Sequence, residues 1–302
     1  MAVPAQTASA DLKPTFLYNL SSFTGPVHFD WVRVAADEER NEIYVVSEGI
    51  IRVFNERGME IYRFGDNADF GAIYDVAVTK DGDIIILSYR NSRYSLIRCN
   101  FRGEPVGTLE IKNLPPELSG FSPNRIIHKT GQFYFASLGA MRVVVTDMEG
   151  NFKDSYDLAA LSGIKENERA DTGIVGFNVD SEGNILYTIP VIAKAYALSP
   201  DKKVREFGKR GSAPGKFGVP GDILKDRSGN YYLVADTLRC VVLIFDKDFR
   251  FITEFGFRGL RPGNLIGPRN LAIDGKGLLY VTQLRHRGVS VFRITERDLL
   301  YQ

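Results

Sequence analysis

The feature that most constrains the fold is a segment of the chain that is repeated with a period of 48 residues. The segment 207–245 is followed by a second copy that opens at Phe255. Four matched features are separated by this period: Gly211 and Gly259, Pro214-Gly215 and Pro262-Gly263, Pro220 and Pro268, and Asp226 and Asp274. One blade of a β-propeller takes about 40 to 50 residues. The period therefore predicts an architecture of repeated, blade-sized units.

Each copy has the pattern of a four-stranded antiparallel sheet. In the first copy, a short strand at 223–225 is followed by a turn at 226–229, apolar runs at 231–235 and 241–245, and an alternating strand at 251–255. Asp, Asn and Gly mark the breaks because they accept turn conformations or hydrogen-bond to their own backbone. Such a sheet has two apolar faces, which neighbouring sheets would cover.

These residues resemble the NHL repeat. The matching positions are Phe207-Gly208, Gly211, Pro214-Gly215, Phe217, Pro220, Asp226, Gly229-Asn230, Ala235-Asp236 and Phe245. The resemblance implies an all-β fold, a six-bladed β-propeller of four-stranded antiparallel blades. It also implies a stand-alone protein of bacterial type, without the additional domains that accompany this repeat in other proteins.

Six units can be placed along the chain, and the last of them lacks a strand. Four units precede the two clear copies, at 31–71, 73–120, 124–171 and 174–220, and the third ends in an irregular insertion at 156–173 that could hold a short helix. The last unit has only three candidate strands, at 271–274, 278–282 and 289–294. Residues 16–23 are predicted to supply the fourth strand, which would close the ring and remove its exposed edges.

Length and composition predict a single domain at 15–302 that follows a flexible segment at 1–14. This segment could be the remnant of a signal peptide, and an exported protein is favoured over a cytoplasmic one. No apolar run approaches the ~20 residues of a membrane-spanning helix. Cys99 and Cys240 fall in the second and fifth units, too far apart for a disulfide, so both thiols should be free. We expect a monomer.

Charge is distributed unevenly along the chain. Residues 1–198 contain 19 Lys and Arg against 26 Asp and Glu, a net charge of −7, whereas residues 199–302 contain 19 against 11, a net charge of +8. Loops of the last two units are expected to project ten basic side chains from one face: Lys209, Arg210, Lys216, Arg239, Arg258, Arg261, Arg269, Arg285, His286 and Arg287. Such a face would attract an anionic macromolecule.

The preferred interpretation is non-catalytic binding of a protein partner on this basic face, without a cofactor. Single-stranded RNA is an alternative, because some proteins with this repeat bind RNA through basic and aromatic residues. The aromatic platform for stacking bases is thin, however. Phe257 lies near the basic loops, whereas Tyr89 and Tyr94 belong to a distant unit.

A metal-dependent hydrolase is the enzymatic alternative. Sugar-lactone hydrolases are similar in having six blades, and that resemblance implies a divalent cation at the channel mouth. Oxygen ligands that suit calcium could come from Asp75, Asn124, Asp222 and Asn270. Arg125 and Arg269 share that ring and oppose a cation. The zinc site of peptidyl-hydroxyglycine lyases, which also resemble this repeat, is not expected, because His28, His128 and His286 occupy unrelated positions.

Overall fold

The computed structural model describes residues 12–22, 25–26, 32–66 and 70–296. It begins with strand β1 (Leu12–Asn19), followed by a two-stranded ribbon of β2 (Ser21–Ser22) and β3 (Gly25–Pro26). The first blade contains β4 (Arg33–Asp37), β5 (Glu42–Ser47), β6 (Ile50–Phe54) and β7 (Glu60–Phe64). The second contains β8 (Ala72–Val78), β9 (Ile84–Arg90), β10 (Arg93–Cys99) and β11 (Pro105–Leu109).

The remaining blades follow the same order. The third contains β12 (Arg125–Lys129), β13 (Gln132–Ser137), β14 (Arg142–Thr146) and β15 (Phe152–Asp157). The fourth contains β16 (Phe177–Val179), β17 (Ile185–Ile189), β18 (Lys194–Leu198) and β19 (Val204–Phe207). The fifth contains β20 (Pro220–Lys225), β21 (Tyr231–Asp236), β22 (Val241–Asp246) and β23 (Phe251–Phe255). The sixth contains β24 (Leu271–Ile273), β25 (Leu278–Thr282) and β26 (Val289–Glu296), with β1 as its outermost strand.

The structure is the predicted six-bladed propeller, closed by the N-terminal strand. β1 pairs antiparallel with β26, from Leu12 opposite Glu296 to Asn19 opposite Ser290. The closing strand differs from the predicted 16–23, because it begins at Leu12 and ends at Asn19. Residues 12–14 of the predicted flexible segment therefore belong to a strand, while residues 1–11 and Phe23 lie outside the described residues.

The apolar core lies between blades. The described residues form six clusters of buried side chains, and each cluster combines residues from two neighbouring blades. Between the fourth and fifth blades, Phe207 contacts Phe245 and Phe217 with ring centroids 4.9 and 6.0 Å apart. Edge-to-face contacts of this kind add to the stabilisation from burial. The first strands of neighbouring blades contact one another and line the central channel.

The repeated Phe-Gly pair ends the fourth strand of a blade for a steric reason. Gly208 has φ +99°, and a Cβ atom there would lie 2.2 Å from the ring of Phe217. Gly256 has φ +117°, and its Cβ would lie 2.6 Å from Leu265. Only glycine combines this left-handed backbone with so close an approach. The repeat thus requires glycine at the exit of each of these two blades.

Short helices occur in the loops that link the blades. The predicted helix in the insertion after the third blade is confirmed as α1 (Leu158–Leu161) and α2 (Arg169–Thr172), with a 3₁₀ turn at Glu166–Glu168 between them. A further 3₁₀ turn at Pro116–Leu118 links the second and third blades, and another at Pro190–Ile192 lies between the second and third strands of the fourth blade. Among the described residues, no helix has the length and apolar character needed to cross a membrane. Cys99 and Cys240 are buried and free, as predicted.

Candidate functional site

Each blade presents two kinds of loop on opposite faces of the ring. We call one the linker face: it carries the loops between blades and the loops between the second and third strands of each blade. We call the opposite face the turn face. It carries the hairpin turns between the first and second strands of each blade and between the third and fourth strands of the first five blades. Hydrogen bonds tie the linker-face loops together, because Arg210 Nη2 donates to Val191 O at 2.7 Å and Arg287 Nη2 donates to Leu260 O at 3.2 Å.

The predicted basic residues of the linker face differ in exposure. Arg239, Arg269 and Arg287 are partly buried, and burial lowers the pKa of Arg269 from its usual value. The other seven are exposed: Lys209, Arg210, Lys216, Arg258, Arg261, Arg285 and His286. Arg210 and Arg287 hold neighbouring loops through backbone carbonyls, so they also have a structural role.

Arg239 is held inside the fold by a carboxylate. Its Nη1 and Nη2 atoms lie 2.9 and 2.5 Å from the two oxygens of Glu254, and Nη1 also donates to Lys216 O at 2.8 Å. The side chains of Arg239 and Glu254 are only 12% and 9% exposed. A bidentate pair of this kind fixes the loop between β21 and β22 against β23. Arg239 therefore positions the linker face rather than presenting a free charge.

Large apolar side chains lie among the exposed cations, which the sequence analysis did not predict. Val219, Leu238, Phe257 and Leu260 belong to the linker-face loops of the fifth and sixth blades, and Leu238, Phe257 and Leu260 are 62%, 60% and 70% exposed. We define the loop patch as these four residues with five exposed cations: Lys209, Lys216, Arg258, Arg261 and Arg285. The signal in the sequence was an apolar residue between glycines in a loop, at 256–260.

The inner end of the channel on the linker face carries buried polar residues. Asp75 is 2% exposed, and its Oδ2 accepts a hydrogen bond from Ile126 N of the next blade at 3.0 Å. Asp222 is 1% exposed and joins three blades: Oδ1 accepts from Phe177 N at 3.1 Å, and Oδ2 accepts from Leu271 N at 3.0 Å. Both aspartates lie at a β-bulge, Asp222 between Pro220 and Ile223 and Asp75 directly after the shift that begins at Ile73, and such a feature redirects side chains.

Guanidinium groups share this end of the channel. Arg33 Nη1 donates to Asn270 Oδ1 at 2.9 Å, and burial together with the nearby charge of Arg125 lowers the pKa of Arg33 to about 10. Arg125 Nη1 lies 3.3 Å from Asp75 Oδ2. Burial raises the pKa of Asp222, and the charges of Arg125 and Arg33 oppose that rise. Sequence reasoning did not identify Arg33.

The four candidate calcium ligands differ in position. Asp75, Asp222 and Asn270 lie in this group, whereas Asn124 Oδ1 accepts from Leu138 N at 3.1 Å in a linker-face loop. The residue of the third blade at the channel is Arg125 instead. Among the described residues, no group of three or more His, Cys, Asp or Glu side chains is arranged to hold a metal. A cation here would have to displace hydrogen bonds and lie beside guanidinium groups, so the calcium site stays a prediction.

A melting experiment tests the calcium alternative. If calcium binds through Asp75, Asp222 and Asn270, adding CaCl₂ should raise the Tm and EDTA should lower it, because a ligand that binds only the folded state stabilises that state. Thermal unfolding followed by circular dichroism measures both effects, with MgCl₂ at the same ionic strength as the control. An unchanged Tm in both additions would contradict a calcium site.

The histidines are not brought together. His128 Nδ1 lies 3.0 Å from Val78 O, and burial lowers the pKa of its imidazole. His286 is exposed in a linker-face loop of the sixth blade, and His28 lies outside the described residues. The two described histidines therefore have separate surroundings.

Three tyrosines form an exposed aromatic group on the second blade. Tyr89 and Tyr94 have ring centroids 5.0 Å apart, and Tyr74 contacts both at 6.1 and 5.7 Å. Tyr74 is 40% exposed. The second blade lies across a six-membered ring from the fifth. These rings are therefore distant from the loop patch, as the sequence predicted.

The fold and the channel define the class of the protein as a six-bladed β-propeller, and solved structures support this. A protein of unknown function from Bacteroides thetaiotaomicron is 12% identical, with a TM-score of 0.67 over 94% of this chain and 77% of that chain. An auxiliary nutrient binding protein from Bacteroides ovatus is 12% identical, with a TM-score of 0.63 over 95% and 78%. Virginiamycin B lyase from Staphylococcus aureus is 13% identical, with a TM-score of 0.55 over 97% and 90%.

At these identities, the similarity shows the fold alone. No protein-family model matches the chain, and no curated protein matches it either.

Proposed function

We propose that the protein is a non-catalytic binding module that captures a protein partner on the loop patch, with an acidic and apolar segment of the partner as the bound element. The observation that carries this proposal is the mixture of Phe257, Leu260 and Leu238, all more than half exposed, with five exposed cations. Exposed apolar groups that lie together mark interaction sites in soluble proteins.

The chemistry of the patch favours a protein over other anionic partners. Aromatic residues and arginine carry much of the binding energy at protein interfaces, and apolar residues form their centres. Nucleic acid would instead need aromatic rings beside the cations for stacking. Phe257 is the single aromatic residue of the loop patch, whereas the tyrosine group lies on the second blade.

The scaffold supports the patch with fixed loops. The bidentate contact of Arg239 with Glu254 and the hydrogen bond from Arg287 to Leu260 O hold two of its loops in place. Asp236 accepts hydrogen bonds from Gly218 N at 2.7 Å and from Arg239 N at 2.9 Å. These two bonds fix the loop that precedes β20 and the loop between β21 and β22. Loops held in one conformation lose less entropy on binding.

Assignment of the blades to the NHL family is part of the same proposal. It rests on the repeated residues whose roles the structure explains. Gly208 and Gly256 permit close packing, Asp226 accepts a hydrogen bond from Tyr231 N at 2.8 Å to fix a turn, and Asp236 fixes the linker-face loops. An exported, monomeric protein of bacterial type is the setting we propose for it.

Charge reversal tests the loop patch. Peptides selected for binding from a random library should be rich in Asp, Glu and apolar residues. Replacing Arg258, Arg261 and Arg285 with glutamate should weaken their binding by about tenfold to a hundredfold, because repulsion replaces attraction at each position. Fluorescence anisotropy at two salt concentrations measures the change, and higher salt should reduce the difference between wild type and variant.

A matched variant controls for total charge. Arg57, Arg102 and Lys247 are exposed on the turn face, and their replacement with glutamate changes the net charge equally. This control should bind the peptides as the wild type does. An equal loss of peptide binding in the two triple variants would contradict the proposal, and so would the selection of peptides without acidic residues. Preferential binding of a single-stranded RNA oligomer to the wild type would favour the RNA alternative instead.

A further inference from the structure

We infer that the central channel is a binding site for a small organic monoanion, a carboxylate with a short apolar body. The channel contains a cavity of about 280 Å³ between the inner strands. Its lining includes Val34, Val76, Ile126, Leu224 and Leu271, together with Asp75 and Arg125 at the linker-face end. An apolar wall with a few polar groups at one end is typical of small-molecule sites.

Arg125 supplies the donors for the anion. Its side chain is 5% exposed, and within the described part of the chain its Nε and Nη1 atoms have no hydrogen-bond partner. Nη2 donates to Phe177 O at 3.2 Å, while Nη1 lies 3.3 Å from Asp75 Oδ2 outside hydrogen-bonding geometry. Unpaired buried donors are rare in folded proteins. A carboxylate in the cavity would accept a charge-assisted hydrogen bond from Nε or from Nη1, which lie on different edges of the guanidinium group.

The basic groups around the channel favour an anion. Near the linker-face end, the guanidinium groups of Arg33, Arg125 and Arg269 outnumber the carboxyl groups of Asp75 and Asp222, and of these five residues Arg125 and Asp75 line the cavity. Charges on the cavity lining at the other end cancel: Lys129, Lys225 and Arg227 against Glu38, Asp180 and Asp226. Burial lowers the pKa of Arg33, and the nearby charge of Arg125 lowers it further. One bound carboxylate would offset the excess of guanidinium groups.

The turn-face mouth of the channel is screened by an ionic contact. Glu38 of the first blade contacts Lys129 of the third and Arg227 of the fifth. Because these blades are spaced evenly around the ring, their side chains can meet only across the axis. Glu38 and Arg227 are 30% and 45% exposed, so these ion pairs are weak and can open for a ligand. When closed, they narrow this mouth of the channel, and reduced hydration of the cavity strengthens its electrostatic interactions.

Hexanoate and hexanol provide a matched pair of probes for the full-length protein. Both have the same apolar body, and only hexanoate has a negative charge. Sodium hexanoate should bind saturably in calorimetry and raise the Tm, whereas hexanol should do neither. Inorganic phosphate, an anion without an apolar body, should bind at least about tenfold more weakly than hexanoate. Absence of saturable hexanoate binding to the wild type, or tighter binding of phosphate, would overturn the inference.

Variants locate the site. The double variant Arg125→Gln with Asp75→Asn removes the guanidinium and keeps the net charge of the channel, and hexanoate should bind it at least about tenfold more weakly, because charge-assisted hydrogen bonds are lost. Ala36→Phe, which fills the cavity and leaves every charge in place, should also abolish binding. The control Arg102→Gln removes an exposed cation from a turn-face hairpin of the second blade and should not change hexanoate binding. Wild-type affinity in both channel variants would overturn the inference.

Discussion

Deletion of residues 1–19 is expected to abolish cooperative folding of the propeller. The deletion removes β1, leaves the edge of β26 unpaired and takes Leu12 and Phe16 from the cluster between the fifth and sixth blades. Each large apolar side chain contributes about 1.5 to 3 kcal/mol on burial. Each strand hydrogen bond adds about 0.5 to 1.5 kcal/mol. Together these losses approach the total stability of a typical domain, about 5 to 15 kcal/mol.

Thermal unfolding followed by circular dichroism measures this loss of cooperative folding. Two further variants test whether the loss is due to β1 itself. A protein that lacks only residues 1–11 should retain the wild-type Tm. A protein in which residues 12–19 are moved behind residue 296 through a short turn should recover folding, because β1 runs antiparallel to β26. A wild-type melting transition in the protein without residues 1–19 would show that the ring does not depend on β1.

The repeat made most of the fold predictable, including closure of the ring by an N-terminal strand. The bounds of that strand, β1, were not predicted correctly. Residues 16–23 matched an outer strand but had no neighbouring strands in sequence, so closure of the ring was the simplest way to pair them. The start of the strand was missed because residues 1–14, which are mostly small or polar, were assigned to a flexible segment. In the structure, Pro14 is tolerated since β1 is an edge strand and one of its sides needs no N–H donor.

The candidate site was less predictable, because it depends on contacts between distant residues. Charge alone could not show that Arg239 is neutralised by Glu254, or that Phe257 and Leu260 stay exposed. Register mattered as much at the channel. Asn124 and Arg125 were both expected in the channel ring, but the structure has only Arg125 there, because side chains of successive residues in a strand point to opposite faces.

Replacement of Asp222 with alanine is expected to cost about 3 kcal/mol or more, because it leaves three buried N–H groups without an acceptor at about 1 to 3 kcal/mol each. Those groups belong to Phe177, Ile223 and Leu271, in the fourth, fifth and sixth blades. Urea unfolding measures the loss. The control Asp81→Ala removes an exposed carboxylate from a turn of the second blade and should change the free energy of unfolding little.

The pH dependence of this loss of stability shows whether burial or hydrogen bonding has the larger effect on the pKa of Asp222. Burial raises the pKa of Asp222 in the folded protein above its value in the unfolded chain, about 3.9. The contribution of Asp222 to stability is therefore full below that value and decreases as pH rises through the folded-state pKa. The difference in unfolding free energy between wild type and Asp222→Ala should accordingly shrink as pH rises above about 4. A difference that grows with pH would mean that the N–H groups and arginines around Asp222 outweigh its burial and hold its pKa low.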